Sequence, residues 1–177
     1  LIDALNAYPH LLLVGLKERF AHAALNVIVT AIGGENSEAG AARFTEEVLC
    51  HRPDVVTIDY ALNDRELGLA RAEAAWRQMI EAALDYGSKV ILLTPTHDLL
   101  TVRRGEPKWS VELPKHAEQV RRLATDYGVA LADSDAAFQH YLAQGGELSD
   151  LLSHINHPNK AGHQLVVREL LRWFPAQ

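Results

Sequence analysis

The chain has 177 residues, 48% of them hydrophobic and 23% charged, with a formal net charge of −6. That length fits one domain with a substantial core. The acidic balance argues against nucleic acid or an anionic membrane as the main partner, and no apolar run is long enough to span a bilayer. The single cysteine, Cys50, excludes an internal disulfide framework. It is expected to be a small buried apolar residue on a helix. No signal peptide is visible. The chain begins with Leu1 and not Met, so its natural N-terminus is expected to lie further upstream.

In chain order, residues 8–20 read as a helix with Leu12, Leu16 and Phe20 on one face. The run Leu11-Leu12-Leu13-Val14 offers a short strand as the alternative. Asn26 to Ile32 is a β-branched apolar run ending in Gly33-Gly34, which predicts a strand and a loop. Ser37 to Cys50 predicts a helix with Ala41, Phe44, Val48 and Leu49 inward. Pro53-Asp54 turns into a strand at Val55-Val56-Thr57-Ile58, followed by Ala61-Leu62-Asn63-Asp64. Leu69 to Tyr86 is the clearest helix, with Leu69, Ala72, Trp76, Met79, Ile80 and Ala83 on the helical period and Gly87 as its stop. Val90 to Leu93 predicts a third strand, leading into Thr94-Pro95-Thr96-His97-Asp98. The polar, irregular segment from Leu99 to Leu113 reads as an excursion over the surface. Pro114 is expected to start a helix ending at Tyr127-Gly128. Val129 to Ala132 is a fourth strand closed by Asp133-Ser134-Asp135, and Ala136 to Ala143 a further helix.

The end of the chain is dense in histidine: Ser153-His154-Ile155-Asn156-His157-Pro158-Asn159-Lys160-Ala161-Gly162-His163. Pro158 suits the first turn of a helix, and Ala161, Leu165, Val166 and Leu170 then recur at helical spacing. His157 is therefore expected in the loop just before a C-terminal helix, fixed by the turn yet able to reach a cleft.

Apolar strands alternating with amphipathic helices indicate an α/β fold with a parallel sheet covered on both faces. In such sheets ligands bind beyond the carboxyl ends of the strands. Gly33-Gly34, Asn63-Asp64, His97-Asp98 and Asp133 fall at those ends, and His157 would join them from its loop. Asp133 and Asp135 are read as ordinary helix caps.

The order Ala31-Ile32-Gly33-Gly34-Glu35-Asn36-Ser37 with Gly40 and Arg43, then Pro53 to Asp64, then His157-Pro158-Asn159 with Gly162-His163, resembles the SGNH (GDSL-type) hydrolases of esterases and lipases. The resemblance implies a three-layer α/β/α domain with a flavodoxin-like parallel sheet. It also implies a serine esterase acting on a small acyl or O-acetyl ester, with no cofactor and no metal. Gly34 matches the glycine whose backbone N–H is one oxyanion donor, Asn63 the asparagine whose amide is another, and His157 the base. Such donors act where charge develops in the transition state, and a histidine near neutrality can take and return the serine proton.

Three positions depart from the family pattern. Ala61 stands where the family usually has glycine, adding a methyl near the site. His154 stands three residues before His157, where the family commonly has an orienting aspartate. A backbone carbonyl or another acid, with Asp150 nearest in sequence, would then have to orient His157. Finally, no Gly-Asp-Ser block is present. The family nucleophile lies some tens of residues before the glycine matched by Gly34. The expectation is that the first strand, carrying the serine, is not part of this sequence.

The other readings are a degenerate family member that binds a ligand without catalysis, a metal site, and a nucleotide binder. The metal site would use His154, His157 and His163, with His97. The nucleotide binder is disfavoured because Gly33-Gly34 lacks the spaced glycines of a phosphate loop.

Overall fold

The computed structural model describes residues 4–99 and 107–175, with the side chains of 107–111 outside that description. The chain forms two compact units: Leu1–Val29, Thr96–Glu106 and Ala132–Gln177 in one, and Thr30–Pro95 with Pro107–Leu131 in the other.

The second unit holds the sheet. Strands β1 (Val55–Ile58), β2 (Lys89–Leu93) and β3 (Ala130–Ala132) lie in the order β1-β2-β3. β1 and β2 run parallel, with Val56 opposite Val90 and Ile58 opposite Leu92. Helices α2 (Ser37–Glu47), α3 (Leu69–Tyr86) and α4 (Pro107–Tyr127) accompany it. Their apolar faces meet the strands in one core, built from Phe44, Ile58, Trp76, Met79, Ile80, Leu92, Val120 and Leu123 among others. The parallel sheet with helical cover is the α/β architecture the apolar strand runs implied.

The first unit holds α1 (Tyr8–Arg19), α5 (Ser134–Ala143), α6 (Lys160–Leu171) and a two-stranded antiparallel hairpin. The hairpin strands are β4 (Leu152–His154) and β5 (His157–Pro158). α1 and α5 both pack on α6. Phe138, Leu151 and Leu152 form a smaller core there, joined by Leu148 and Leu165. The helical reading of residues 8–20 holds over the strand alternative at 11–14.

Four expectations are corrected. Asn26 to Ile32 carries no strand ladder, and Ile28, Val29 and Ile32 are 55–61% exposed. β-branched composition alone makes no strand; a strand needs a neighbour to take its backbone N–H and C=O groups, and no described residue supplies one. Second, α4 begins at Pro107, so Pro114 lies inside it. Leu113, His116, Ala117, Val120, Leu123 and Ala124 are all buried. This buried face starts before the proline and carries the helix across one missing hydrogen bond. Residues 100–106 of the expected surface excursion lie outside the described residues.

Third, Cys50 is exposed. α2 ends at Glu47, and a 3₁₀ turn over Leu49–His51 buries Leu49 and turns Cys50 outward. Fourth, Pro158 lies in β5 rather than in the first turn of α6, and Asn159 is the residue that starts the helix.

Candidate active site

Gly34 lies in the turn before α2 with φ +80°, a conformation that side chains rarely tolerate. The next residue, Glu35, is the hub of this region. Its backbone oxygen accepts from Asn63 Nδ2 at 2.9 Å. Its carboxylate takes Arg43 Nε at 2.8 Å, Arg43 Nη2 at 2.5 Å and the Tyr60 hydroxyl at 3.2 Å. Glu35 and Asn63, 28 positions apart, are thus joined, and the Asn63 amide is set against the residue that follows Gly34.

The charge states of this brace are fixed by its own contacts. Hydrogen bonds from Arg43 hold the Glu35 carboxyl below the usual carboxylate range, and the Arg43 guanidinium is correspondingly raised. Burial, followed by the charge of Glu35, pushes the Tyr60 phenol up to about 12. Around neutrality an anion, a cation and a neutral hydroxyl therefore hold the turn.

Asn63 opens a 3₁₀ turn over Asn63–Arg65. Asp64, fully buried, anchors that turn. Its Oδ1 accepts from Ser37 N at 2.7 Å and its Oδ2 from Trp76 Nε1 at 2.7 Å. Ser37 is the first residue of α2, so the carboxylate also meets the positive end of that helix. Ala61 is 1% exposed and packed in the main core.

In the other unit, His154 and His157 are paired across the hairpin, with ring centroids 6.0 Å apart and planes tilted by 49°. Asn159 explains the sequence that follows. Its N–H donates to Leu151 O at 2.9 Å and its Nδ2 to Asp150 O at 2.8 Å. Its Oδ1 accepts from Ala161 N and Gly162 N, capping α6. Gly162 lets the helix approach the hairpin, since a Cβ there would stand 2.4 Å from Leu151 O. Ser153 Oγ donates to His157 O at 3.1 Å.

His157 is half-buried, and its Nδ1 is enclosed without a partner among the described residues. Asp150, the nearest acid in sequence, is committed elsewhere: its Oδ2 accepts from Glu147 N and from the Tyr141 hydroxyl, each at 3.1 Å. His163 packs in α6 with its ring centroid 6.1 Å from that of Tyr8. Burial, then the neighbouring His157, brings its pKa down to about 4. Among the described residues no group of three His, Cys, Asp or Glu side chains is placed to hold a metal ion.

The lowered pKa of His163 has a consequence for stability. Unfolding exposes an imidazole that titrates near 6.5, whereas the folded one stays neutral down to about 4. The unfolded state therefore binds more protons between these values, and stability falls as pH falls through that window. The expected result is a drop in the urea midpoint from pH 6.5 to pH 4 that is smaller in His163→Phe. An equal drop in both proteins would contradict it.

Asp133 caps α5 by accepting from Ala136 N at 3.1 Å, as its position suggested. Asp135 instead binds His97, Oδ1 to Nε2 at 2.8 Å. The sequence placed both residues after strands but gave no signal for the pair, which are 38 positions apart.

A family model described as the GDSL-like lipase/acylhydrolase family matches residues 3–165. The chain belongs to this family. Solved structures agree on the SGNH hydrolase fold. A catalytic mutant of Axe2, an acetylxylan esterase from Geobacillus stearothermophilus, is 21% identical with a TM-score of 0.83, covering 97% of this chain and 82% of the other. LAE5, an alpha/beta hydrolase enzyme from the metagenome of Lake Arreo, Spain, is 26% identical with a TM-score of 0.80, covering 94% and 80%. Other catalytic mutants of Axe2 replace an aspartate and, three positions later, a histidine by alanine. No curated protein matched. Among the described residues no helix of this GDSL-family chain is long and apolar enough to cross a membrane.

Proposed function

We propose that the chain is a serine-type carboxylic ester hydrolase that cleaves a small acyl or O-acetyl ester through an acyl-enzyme. The observation that carries this reading is the hydrogen bond from the Asn63 amide to the backbone oxygen of Glu35, the residue after Gly34. In this reading the exposed glycine turn and the asparagine amide, steadied by a half-buried ionic brace, serve as a preorganised pair of neutral donors. Such donors stabilise an oxyanion without reorganising as charge develops.

In the proposed reaction a serine Oγ attacks the ester carbonyl carbon while His157 takes its proton. The carbonyl oxygen becomes an oxyanion and is held by Gly34 N–H and the second N–H of Asn63 Nδ2. Collapse of the tetrahedral intermediate breaks the bond to the alcohol oxygen, and His157 returns the proton to it. Water then repeats the cycle on the acyl-enzyme and releases the acid. The serine-type mechanism is supported by family membership. His157 as base is supported by its place in the hairpin and by the catalytic histidine named for Axe2. In that protein the residue three positions earlier is an aspartate, and here it is His154.

Of the serines whose side chains are described, Ser37, Ser88 and Ser134 are buried. Ser149 Oγ donates to Glu147 and Ser153 Oγ to the His157 carbonyl. None of these is an open nucleophile at a strand end, so mapping a serine-directed adduct is the direct way to name it.

A second reading, a family member that binds a ligand without catalysis, is favoured by one observation: Nδ1 of His157 meets no carboxylate among the described residues. Hydrolysis of 4-nitrophenyl acetate separates the two. The esterase reading expects turnover and a fall in kcat of about 10²-fold in Asn63→Ala, with little change in KM, as for loss of one oxyanion donor. Absence of turnover in the folded protein would support the binding reading.

A further inference from the structure

The pair of His97 with Asp135 takes no part in the proposed reaction. His97 lies four residues past the end of β2. Asp135 Oδ1 binds its Nε2 at 2.8 Å, and Asp135 Oδ2 accepts from Gln139 Nε2 at 2.8 Å. The His97 ring centroid lies 5.8 Å from that of Phe138. The ring is therefore fixed by a carboxylate at one edge and an aromatic neighbour beside it. Asp135 is not needed as a helix cap, because Asp133 already fills that role for α5.

The chemistry of the pair is directional. An ionised carboxylate only accepts, so Nε2 carries the proton of the neutral imidazole, and Nδ1 is left as an acceptor. The His97 side chain keeps 23% of its surface exposed while Asp135 keeps 8%. The result is an acceptor held in place by a carboxylate that is itself nearly buried, on a ring that keeps part of its surface accessible.

Its placement is near the proposed base. Leu99 N donates to Ile155 O at 2.7 Å, which ties the segment carrying His97 to the loop between His154 and His157. The segments after parallel strands are also where ligands gather in open α/β sheets.

We propose that His97, positioned by Asp135, recognises a hydroxyl on the alcohol part of the ester, so that esters of polyols are preferred over esters of simple alkanols. This rests on the ester-hydrolase reading. His97 is the residue that touches substrate, and Asp135 is a positioning residue that acts by fixing the tautomer.

Glyceryl monoacetate and n-propyl acetate test it, because they share the acyl group and a three-carbon alcohol and differ in the two hydroxyls. The wild type is expected to prefer the glyceryl ester in kcat/KM. His97→Ala should lose about tenfold on that ester, mainly through KM, and change by less than about twofold on the propyl ester. Asp135→Asn should shift the preference the same way, since an amide donating to Nε2 moves the ring proton to Nδ1. A merely structural pair would lose activity on both esters in parallel. That result, or no preference in the wild type, overturns the proposal.

If the wild type hydrolyses neither ester, the esterase reading fails, and a glycerol titration followed by nitrogen-15 shifts of the histidine rings decides this proposal separately. A saturable shift at His97 Nδ1 that is lost in Asp135→Asn supports it. No shift overturns it.

Discussion

Replacing His157 by alanine is expected to lower kcat on a short-chain ester by about 10³-fold or more, with KM and fold unchanged. The size follows from its proposed role. A weak hydroxyl nucleophile needs a base in the attack and an acid for the leaving alcohol, and one imidazole serves both steps. The fold is expected to survive because the hairpin does not depend on the ring. The contacts that seat this stretch run through the His157 carbonyl, which accepts from Ser153 Oγ, and through Asn159. The ring's enclosed nitrogen has no partner to lose among the described residues. Steady-state kinetics with circular dichroism checks this. A folded variant retaining more than about a tenth of kcat would remove His157 from the role of base.

The largest expected effect on stability is at Asp64. Asp64→Ala is expected to cost about 3–5 kcal/mol. The side chain is fully buried, and its two oxygens serve two different donors, Ser37 N and Trp76 Nε1. Removal leaves both N–H groups without an acceptor, takes a negative charge from the start of α2, and leaves a hole beside Trp76. Asp64→Asn should fall between, since it keeps one acceptor oxygen and sets an NH₂ group against the other donor. Because Asn63 begins the same turn, residual activity should fall too, even below denaturing temperatures. Urea unfolding with matched m-values measures the cost. A loss under about 1 kcal/mol in Asp64→Ala would show that the carboxylate is not the anchor of this turn.

The parts legible in the sequence were those governed by local pattern. α3 runs over Leu69–Tyr86, where its apolar period placed it, and Gly87 ends it with φ +95°. β1 and β2 fall on their apolar runs, since a strand buried on both faces needs little else to be recognised. Asp133 as a cap was legible because a cap bonds within its own turn. The failures were non-local. Asn26 to Ile32 has the composition of a strand, and only the presence or absence of a ladder partner decides its state. Pro114 marked a helix start by local rule, yet burial from Leu113 onward outweighed it.

At the site, the sequence supplied residue types and the structure supplied their partners. Gly34 and Asn63 were named as donors, but the partner that holds Asn63, the peptide oxygen of Glu35, is a backbone group, which no side-chain pattern reports. Asp64 stood in the same motif and turned out to be its anchor. Gly162 was visible as part of a motif, and its reason, a carbonyl 2.4 Å from where a Cβ would stand, is tertiary. The bond between His97 and Asp135 joins two segments that follow different strands, and local rules assigned Asp135 to capping instead.

The most direct test of the central claim is intact mass and turnover on the same sample, with a serine-directed phosphonate and 4-nitrophenyl acetate. The esterase account expects hydrolysis, its complete loss on treatment, and one phosphonyl group added per chain on a serine that peptide mapping identifies. A folded protein that neither turns over the ester nor takes up the label would contradict it.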